Sequence, residues 1–300
     1  MLCLMTLADV GAVSPETLTP WKEELLWRLY VDTYNHLTQR YGDDVIERNQ
    51  AGLDELLRQR PDDLTTPEIT RFLEGLPQRY LQLFPREAIY RHVRLARDIH
   101  PDQVHVSLER HDSAVWTVAV ATLDKPYLFS NICGVLSSFG MNIIRGHALT
   151  NPNGLVLDTF QFTDEERFLE LNPDAQARVS RVLEDVVAAR MELAPRLQRR
   201  EQGALQTRSG PRFAPVVRAD NEASGRYTIV DIVATNALGL LYRISRVISR
   251  QGCDVDLVLI ATEGEKAIDV FHITKGGSKL TEADQQALTT DLLHTLEGTA

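Results

Sequence analysis

The segment from Tyr227 onward repeats a pattern set down earlier in the chain, and that duplication limits the folds open to it. Adding 112 to the first copy's numbers superimposes Leu128 on Leu240, Ile132 on Ile244, Val135 on Val247, Ser137 on Ser249 and Gly140 on Gly252. The same offset takes Asn142 to Asp254, Ile143 to Val255 and Thr150 to Thr262. Past a hairpin turn the offset falls to 111, because the first copy's turn is one residue longer, and it pairs Asp158 with Asp269 and Phe160 with Phe271. Agreement at core, turn and polar positions together marks two copies of one folding unit.

Local patterns give the unit its order. Val115–Thr122 is rich in β-branched residues and predicts a buried strand. Leu128, Ile132, Val135 and Leu136 follow at helical spacing, and Gly140 closes that helix. Asn142–Thr150 and Leu155–Phe162 read as a hairpin joined by Asn151-Pro152-Asn153-Gly154. Asp174–Met191 carries Val179, Val182, Leu183, Val186 and Val187 on one helical face. Each copy is therefore a βαββα unit of about 75 residues, and Pro215–Ala219 is expected as a fourth strand for the first. The fold class is α+β, with helices on one face of an antiparallel sheet. Such a sheet leaves its other face or an edge strand needing cover, and side-by-side pairing of the two copies would supply it.

Upstream, the chain reads as helices and tight turns to about Ile99. Thr19-Pro20 starts one helix, Asp44–Arg60 forms the next, Thr66-Pro67-Glu68 caps a short third ending near Gly75, and Glu87–Asp98 follows Pro85. The expected division is a helical segment plus connector over 1–110, a first copy over 113–222 with a loop at about 196–213, and a second copy over 225–300. Gln198–Pro211, with Arg199, Arg200 and Arg208, reads as a solvated linker rather than an anion patch.

Charge and composition remove several functions. Lys+Arg 32 against Asp+Glu 42 leaves a net charge of −10, so the overall field repels phosphate backbones and a nucleic-acid partner is not expected. The longest uncharged stretch, Pro126–Ile144, is interrupted by Ser130, Asn131, Ser137, Ser138 and Asn142, so no membrane span is expected. Met1–Val10 lacks the basic flank of a signal peptide. Cys3, Cys133 and Cys253 show neither disulfide nor metal spacing, and a cytoplasmic setting is expected. His100, His105 and His111 are spaced too loosely for zinc, and Lys275-Gly276-Gly277-Ser278 lacks the phosphate-loop frame. No catalytic residue, metal site or cofactor is assigned.

Asp124-Lys125-Pro126-Tyr127-Leu128-Phe129 with Gly140-Met141-Asn142-Ile143 resembles the ACT domain, a small-molecule-sensing βαββαβ module of ferredoxin-like fold. Asn236-Ala237-Leu238-Gly239-Leu240-Leu241 with Gly252-Cys253-Asp254-Val255 resembles it too. The tandem is most similar to the C-terminal regulatory pair of the bacterial PII uridylyltransferase/uridylyl-removing family. Leu18-Thr19-Pro20-Trp21-Lys22 and Leu76-Pro77-Gln78-Arg79-Tyr80 resemble that family's segments between its HD phosphohydrolase domain and its sensors. Thr6-Leu7-Ala8-Asp9 looks like the end of the HD domain, which would make Asp9 an orphan metal ligand. The family's catalytic domains use divalent metal, and nothing here corresponds to their ligand sets. The resemblance implies an allosteric module that senses an amino acid, glutamine first among them, and controls modification of the PII nitrogen-signalling protein. Its implied partners are that effector, PII or a separate catalytic chain, and further copies of itself through ACT pairing. Two other readings stay open: an interaction protein or truncated relic that has lost its ligand, and a fragment of an intact bifunctional enzyme.

The effector-binding residues implied by the resemblance are Asp124, Lys125, Pro126, Leu128, Asn131, Asn142 and Ile143 in the first copy, and Asn236, Leu238, Gly239, Leu240, Asp254 and Val255 in the second. The family's Asp-Arg-Pro-Gly turn is incomplete in both. Copy one keeps acid and proline but has Tyr127 where glycine belongs, and copy two keeps only Gly239. Asp158 and Asp269 are expected to face solvent, His147 and His272 to be structural, and Cys133 and Cys253 to be small buried hydrophobes.

Overall fold

The computed structural model describes residues 51–77, 80–111, 114–204, 214–263 and 266–297. The helix expected at Thr19-Pro20 and the orphan Asp9 lie outside these residues, as do 205–213 of the expected linker.

Among the described residues four helices come first: α1 (Ala51–Arg58), α2 (Thr66–Leu73), α3 (Tyr80–Leu83) and α4 (Arg86–Leu95). The start of α2 shows why its sequence folds locally. Thr65, rather than Thr66, is the cap: its backbone N–H donates to the Glu68 carboxylate at 2.7 Å, and its hydroxyl accepts the Glu68 N–H at 3.4 Å. The first copy follows as β1 (Val104–Arg110), β2 (Val115–Leu123), α5 (Leu128–Ser138), β3 (Asn142–Thr150), β4 (Leu155–Thr163), α6 (Phe168–Leu171) and α7 (Ala175–Val187). After α8 (Ala194–Ala204), the second copy is β5 (Val216–Asp220), β6 (Thr228–Thr235), α9 (Leu240–Arg250), β7 (Asp254–Glu263), β8 (Lys266–Thr274) and α10 (Glu282–Glu297).

The eight strands of the described residues form one antiparallel sheet, in the order β1-β2-β4-β3-β7-β8-β6-β5. The two copies stand side by side and join where β3 meets β7, with Gly146 opposite Val258 and His147 opposite Leu257. A side chain on Gly146 would not fit there. Its Cβ would lie 2.9 Å from Val258 Cγ1 and 3.2 Å from Phe160 Cε1.

Two expectations are corrected. The strand at Val216–Asp220 does not complete the first copy; it pairs with β6 along Val216–Val233 to Asp220–Ile229 and forms the second copy's outer edge. The first copy takes its outer strand from Val104–Arg110, at the end of the 1–110 segment expected to precede that copy, through a hairpin to β2. In both copies, then, the outer strand precedes the βαββα unit instead of following it. A hairpin to the unit's first strand satisfies the same edge with a shorter connection. The second correction concerns 196–204, expected as loop, which is helical in α8.

Alternation along the strands separates two cores. One face of the sheet gives Val118, Val120, Phe160, Phe162, Val230, Ile232 and Phe271, which pack with Ile132 and Leu136 of α5 and Ile244 and Ile248 of α9. The opposite face of the first copy gives Ala119, Ala121, Leu149 and Leu157, which pack with Leu53, Ile69, Leu73, Tyr80, Ile89 and Val93 of the four leading helices. Those helices therefore sit on the back of the first copy's strands.

Candidate functional site

The two loops between first strand and first helix are built alike down to their hydrogen bonds. In copy one the Leu128 N–H donates to Lys125 O at 3.2 Å and the Asn131 N–H to Tyr127 O at 2.8 Å. In copy two Leu240 donates to Ala237 O at 3.0 Å and Arg243 to Gly239 O at 3.0 Å. Both loops need a left-handed residue just before the helix: Tyr127 has φ 63 and ψ 14, Gly239 φ 76 and ψ 7. Glycine takes that conformation freely, whereas a side chain costs about 1–2 kcal/mol. Neither helix start carries a side-chain cap, so each directs backbone N–H donors toward whatever occupies the space before it.

That space is a cavity in each case, and each cavity is shared between the copies. In the larger, of about 470 Å³, Asp124, Lys125, Pro126, Tyr127 and Leu128 of copy one face Asp254 and Val255 of copy two. In the smaller, of about 40 Å³, Asn236, Leu238, Gly239 and Leu240 of copy two face Asn142 and Ile143 of copy one. The structure thus gathers the sequence-derived candidates into two crossed sets. Asn131, half-buried on α5, lines neither. Among the described residues no group of three or more His, Cys, Asp or Glu side chains is placed to hold a metal ion.

Asp158 and Asp269 correct the expectation of solvent exposure. They are 1% and 2% exposed, and each lines one of the cavities, Asp158 the larger and Asp269 the smaller. Burial, with the charge of Asp124 as a second cause, pushes the Asp158 carboxyl up to about 8. Burial alone pushes Asp269 up to about 7. The Oδ1 atom of each has no hydrogen-bond partner among the described residues. Asp254 is also raised, by burial and then by Asp124. The signal for the inward orientation lay in the strand's parity. Asp158 alternates with Val156, Phe160 and Phe162, all core residues, and a strand's side chains keep one face at every second position. Arg226 and Asp256 also line the larger cavity; both come from elements whose placement depends on the pairing of the copies, and no local pattern singles them out. His147 and His272 are buried, as are Cys133 and Cys253.

No protein-family model matches the sequence. Among characterised proteins, the chain is 30% identical over 294 residues to the bifunctional uridylyltransferase/uridylyl-removing enzyme of Erythrobacter litoralis (strain HTCC2594), covering 94% of this chain and 31% of the relative. With the same-named enzyme of Azospirillum brasilense the identity is 28%, over 99% of this chain and 32% of the relative. The chain is thus similar along nearly all of its length to enzymes of which it spans about a third. Among solved structures, an unknown protein from Galdieria sulphuraria aligns over 62% of this chain and 94% of its own, at 10% identity and a TM-score of 0.21.

Proposed function

In a chain related over nearly all its length to bifunctional uridylyltransferase/uridylyl-removing enzymes, we propose that the paired copies are ACT-type sensors that bind an amino acid, glutamine foremost, and regulate uridylylation and deuridylylation of the PII protein. The observation that carries this reading is the crossed construction of the cavities, each made from the loop and helix start of one copy and the strand start of the other. A ligand seated there touches both copies, so its binding energy favours whichever copy–copy arrangement closes on it. The four leading helices pack on Ala119, Ala121, Leu149 and Leu157 of the first copy, so a shift of those strands is delivered directly to them. The catalytic activity under control belongs to residues outside this set, on this chain or a partner. A cytoplasmic setting fits the two free buried thiols, Cys133 and Cys253. Isothermal calorimetry against the twenty L-amino acids tests the reading; no heat from any of them at about 1 mM, a concentration matching a weak site of about −4 kcal/mol, would sink it.

A second reading is favoured by one observation. Tyr127 occupies a left-handed position that glycine would fill without strain, as expected if ligand selection on that loop had relaxed and the pair now serves only as a docking scaffold. The same calorimetry separates the two, since the scaffold binds no amino acid.

A further inference from the structure

The two cavities differ in the one respect that matters for occupancy. Small-molecule sites run to roughly 300–1,000 Å³, and only the cavity of about 470 Å³ reaches that range. The other, at about 40 Å³, has room for about one water molecule. Equivalent positions explain part of the difference: Met141 lines the small cavity where Cys253 lines the large one.

Chemistry inside the large cavity is equally one-sided. Asp124, Asp158, Asp254 and Asp256 line it against Lys125 and Arg226. Asp158 lies at its floor on β4, fully buried, with Oδ1 unpartnered among the described residues. A native fold rarely leaves a buried carboxyl oxygen unsatisfied, and here the open acceptor borders a space large enough for a ligand. The charged and titratable groups facing Asp158 are Asp124, Lys125 and Tyr127 from the loop after β2, Cys133 from α5, Arg226 from before β6, Cys253 from just before β7, and Asp254 and Asp256 from β7. Its neighbour β3 lines the cavity with Ala148 and Thr150 and contributes no charged side chain, though a backbone hydrogen bond from Leu149 lowers the Asp158 carboxyl against the effect of burial. Cys133 and Cys253 are both pushed up by burial and remain neutral thiols. The surplus is acidic, which repels dicarboxylic ligands and suits an ammonium group.

Resting on the amino-acid reading above, we propose that the chain holds one effector molecule, in the larger cavity alone, with the effector's α-ammonium seated on the Asp158 carboxylate, which releases its own proton to solvent as the ligand enters. The ammonium keeps its charge and donates to Oδ1; the carboxyl O–H bond is the one broken, and buffer takes up the proton. The ligand's carboxylate then points toward the start of α5, beside Lys125, where backbone donors and a cation stand opposite the acids. Because Asp158 rises to about 8 when the cavity is empty, it is mostly protonated near neutral pH, and the released proton is countable.

The test is calorimetry of the full chain with each of the twenty L-amino acids, near pH 7, in two buffers of different ionisation enthalpy. The expected result is a stoichiometry of about one, release of close to one proton per ligand bound, and no binding of the N-acetyl derivative of the same amino acid, which lacks the ammonium. Asp158→Asn should weaken binding at least about tenfold and abolish the proton release. The proton count and the N-acetyl comparison use the wild-type chain, so they decide the matter even if that variant fails to fold. Amino-acid binding at two sites, binding without proton release, or binding of the N-acetyl form would overturn the proposal and leave amino-acid sensing standing. Absence of binding by all twenty would overturn both.

Discussion

Replacing Asp158 by Asn removes a titrating group while keeping the side chain's size, and its effect on stability should grow with pH. The ordinary carboxyl value is 3.8, and the folded protein holds Asp158 at about 8. Below the lower value both states are protonated and the group has no pH-dependent effect. Between the two, the unfolded chain has lost its proton while the folded chain keeps it, so each pH unit costs the folded state about 1.4 kcal/mol. Stability from this group is thus intact below 3.8 and lost as pH rises toward about 8. Asn does not titrate, so the variant's stability relative to wild type should increase by about 3 kcal/mol from about pH 5.5 to about pH 7.5. Asp269→Asn should behave alike, except that its gain stops near 7. Buried His92, lowered to about 4 by burial and then by Arg91, acts in the opposite sense: its folded state gains stability as pH rises from about 4 to 6.5. That contribution is common to variant and wild type and cancels in the difference. Urea unfolding without ligand, followed by circular dichroism at three pH values in that window, measures the gap. A gap constant to within about 0.5 kcal/mol would refute the claim that burial keeps Asp158 protonated.

Three further outcomes follow from the packing. Phe160→Ala removes a fully buried ring whose centroid lies 4.9 Å from that of the tilted Phe129 ring and should cost about 3–5 kcal/mol in urea unfolding, whereas Leu171→Ala, at a residue 65% exposed, should change stability by under about 0.5 kcal/mol. Gly239→Ala meets no atom nearer than Arg243 Nη1 at 3.9 Å, so its cost of about 1 kcal/mol comes from the left-handed backbone alone; a neutral result in thermal melting would mean the loop readily changes conformation. Tyr80→Phe deletes the hydroxyl 2.8 Å from His92 Nδ1 and leaves a buried nitrogen unpaired, which should cost about 1–3 kcal/mol and speed amide exchange in α3 and α4.

Because ligand contacts would be drawn from both copies, coupling between them runs through few elements. The β3–β7 join is made by short pairing around Gly146 and Val258, and α5 packs against α9 across the same boundary. Asp158, on β4, lies on the strand next to β3, with Leu157 beside it turned to the leading helices. A charge change at Asp158 therefore occurs one residue from the surface that carries those helices.

Sequence alone determined the repeat, the element order within each βαββα unit, and the residues of both loops, because these are written in local terms: periodicity, glycine at a helix end, and spacing that survives duplication. The helical positions Leu128, Ile132 and Leu136 and their partners in the second copy needed no long-range information. Tertiary structure decided which loop faces which strand, since Asp124 and Asp254 meet only because β3 and β7 pair. It also decided the owner of the strand at Val216–Asp220, which was expected in one copy and hydrogen-bonds to the other. A single strand does not specify its neighbour; the register and the edge left open do. Asp158 and Asp269 stand between these cases. Their parity with Phe160 and Phe271 pointed inward, but a carboxylate is ordinarily too costly to bury, and only the closed geometry of the paired copies shows two of them inside, their carboxyls pushed up by the desolvation that surrounds them.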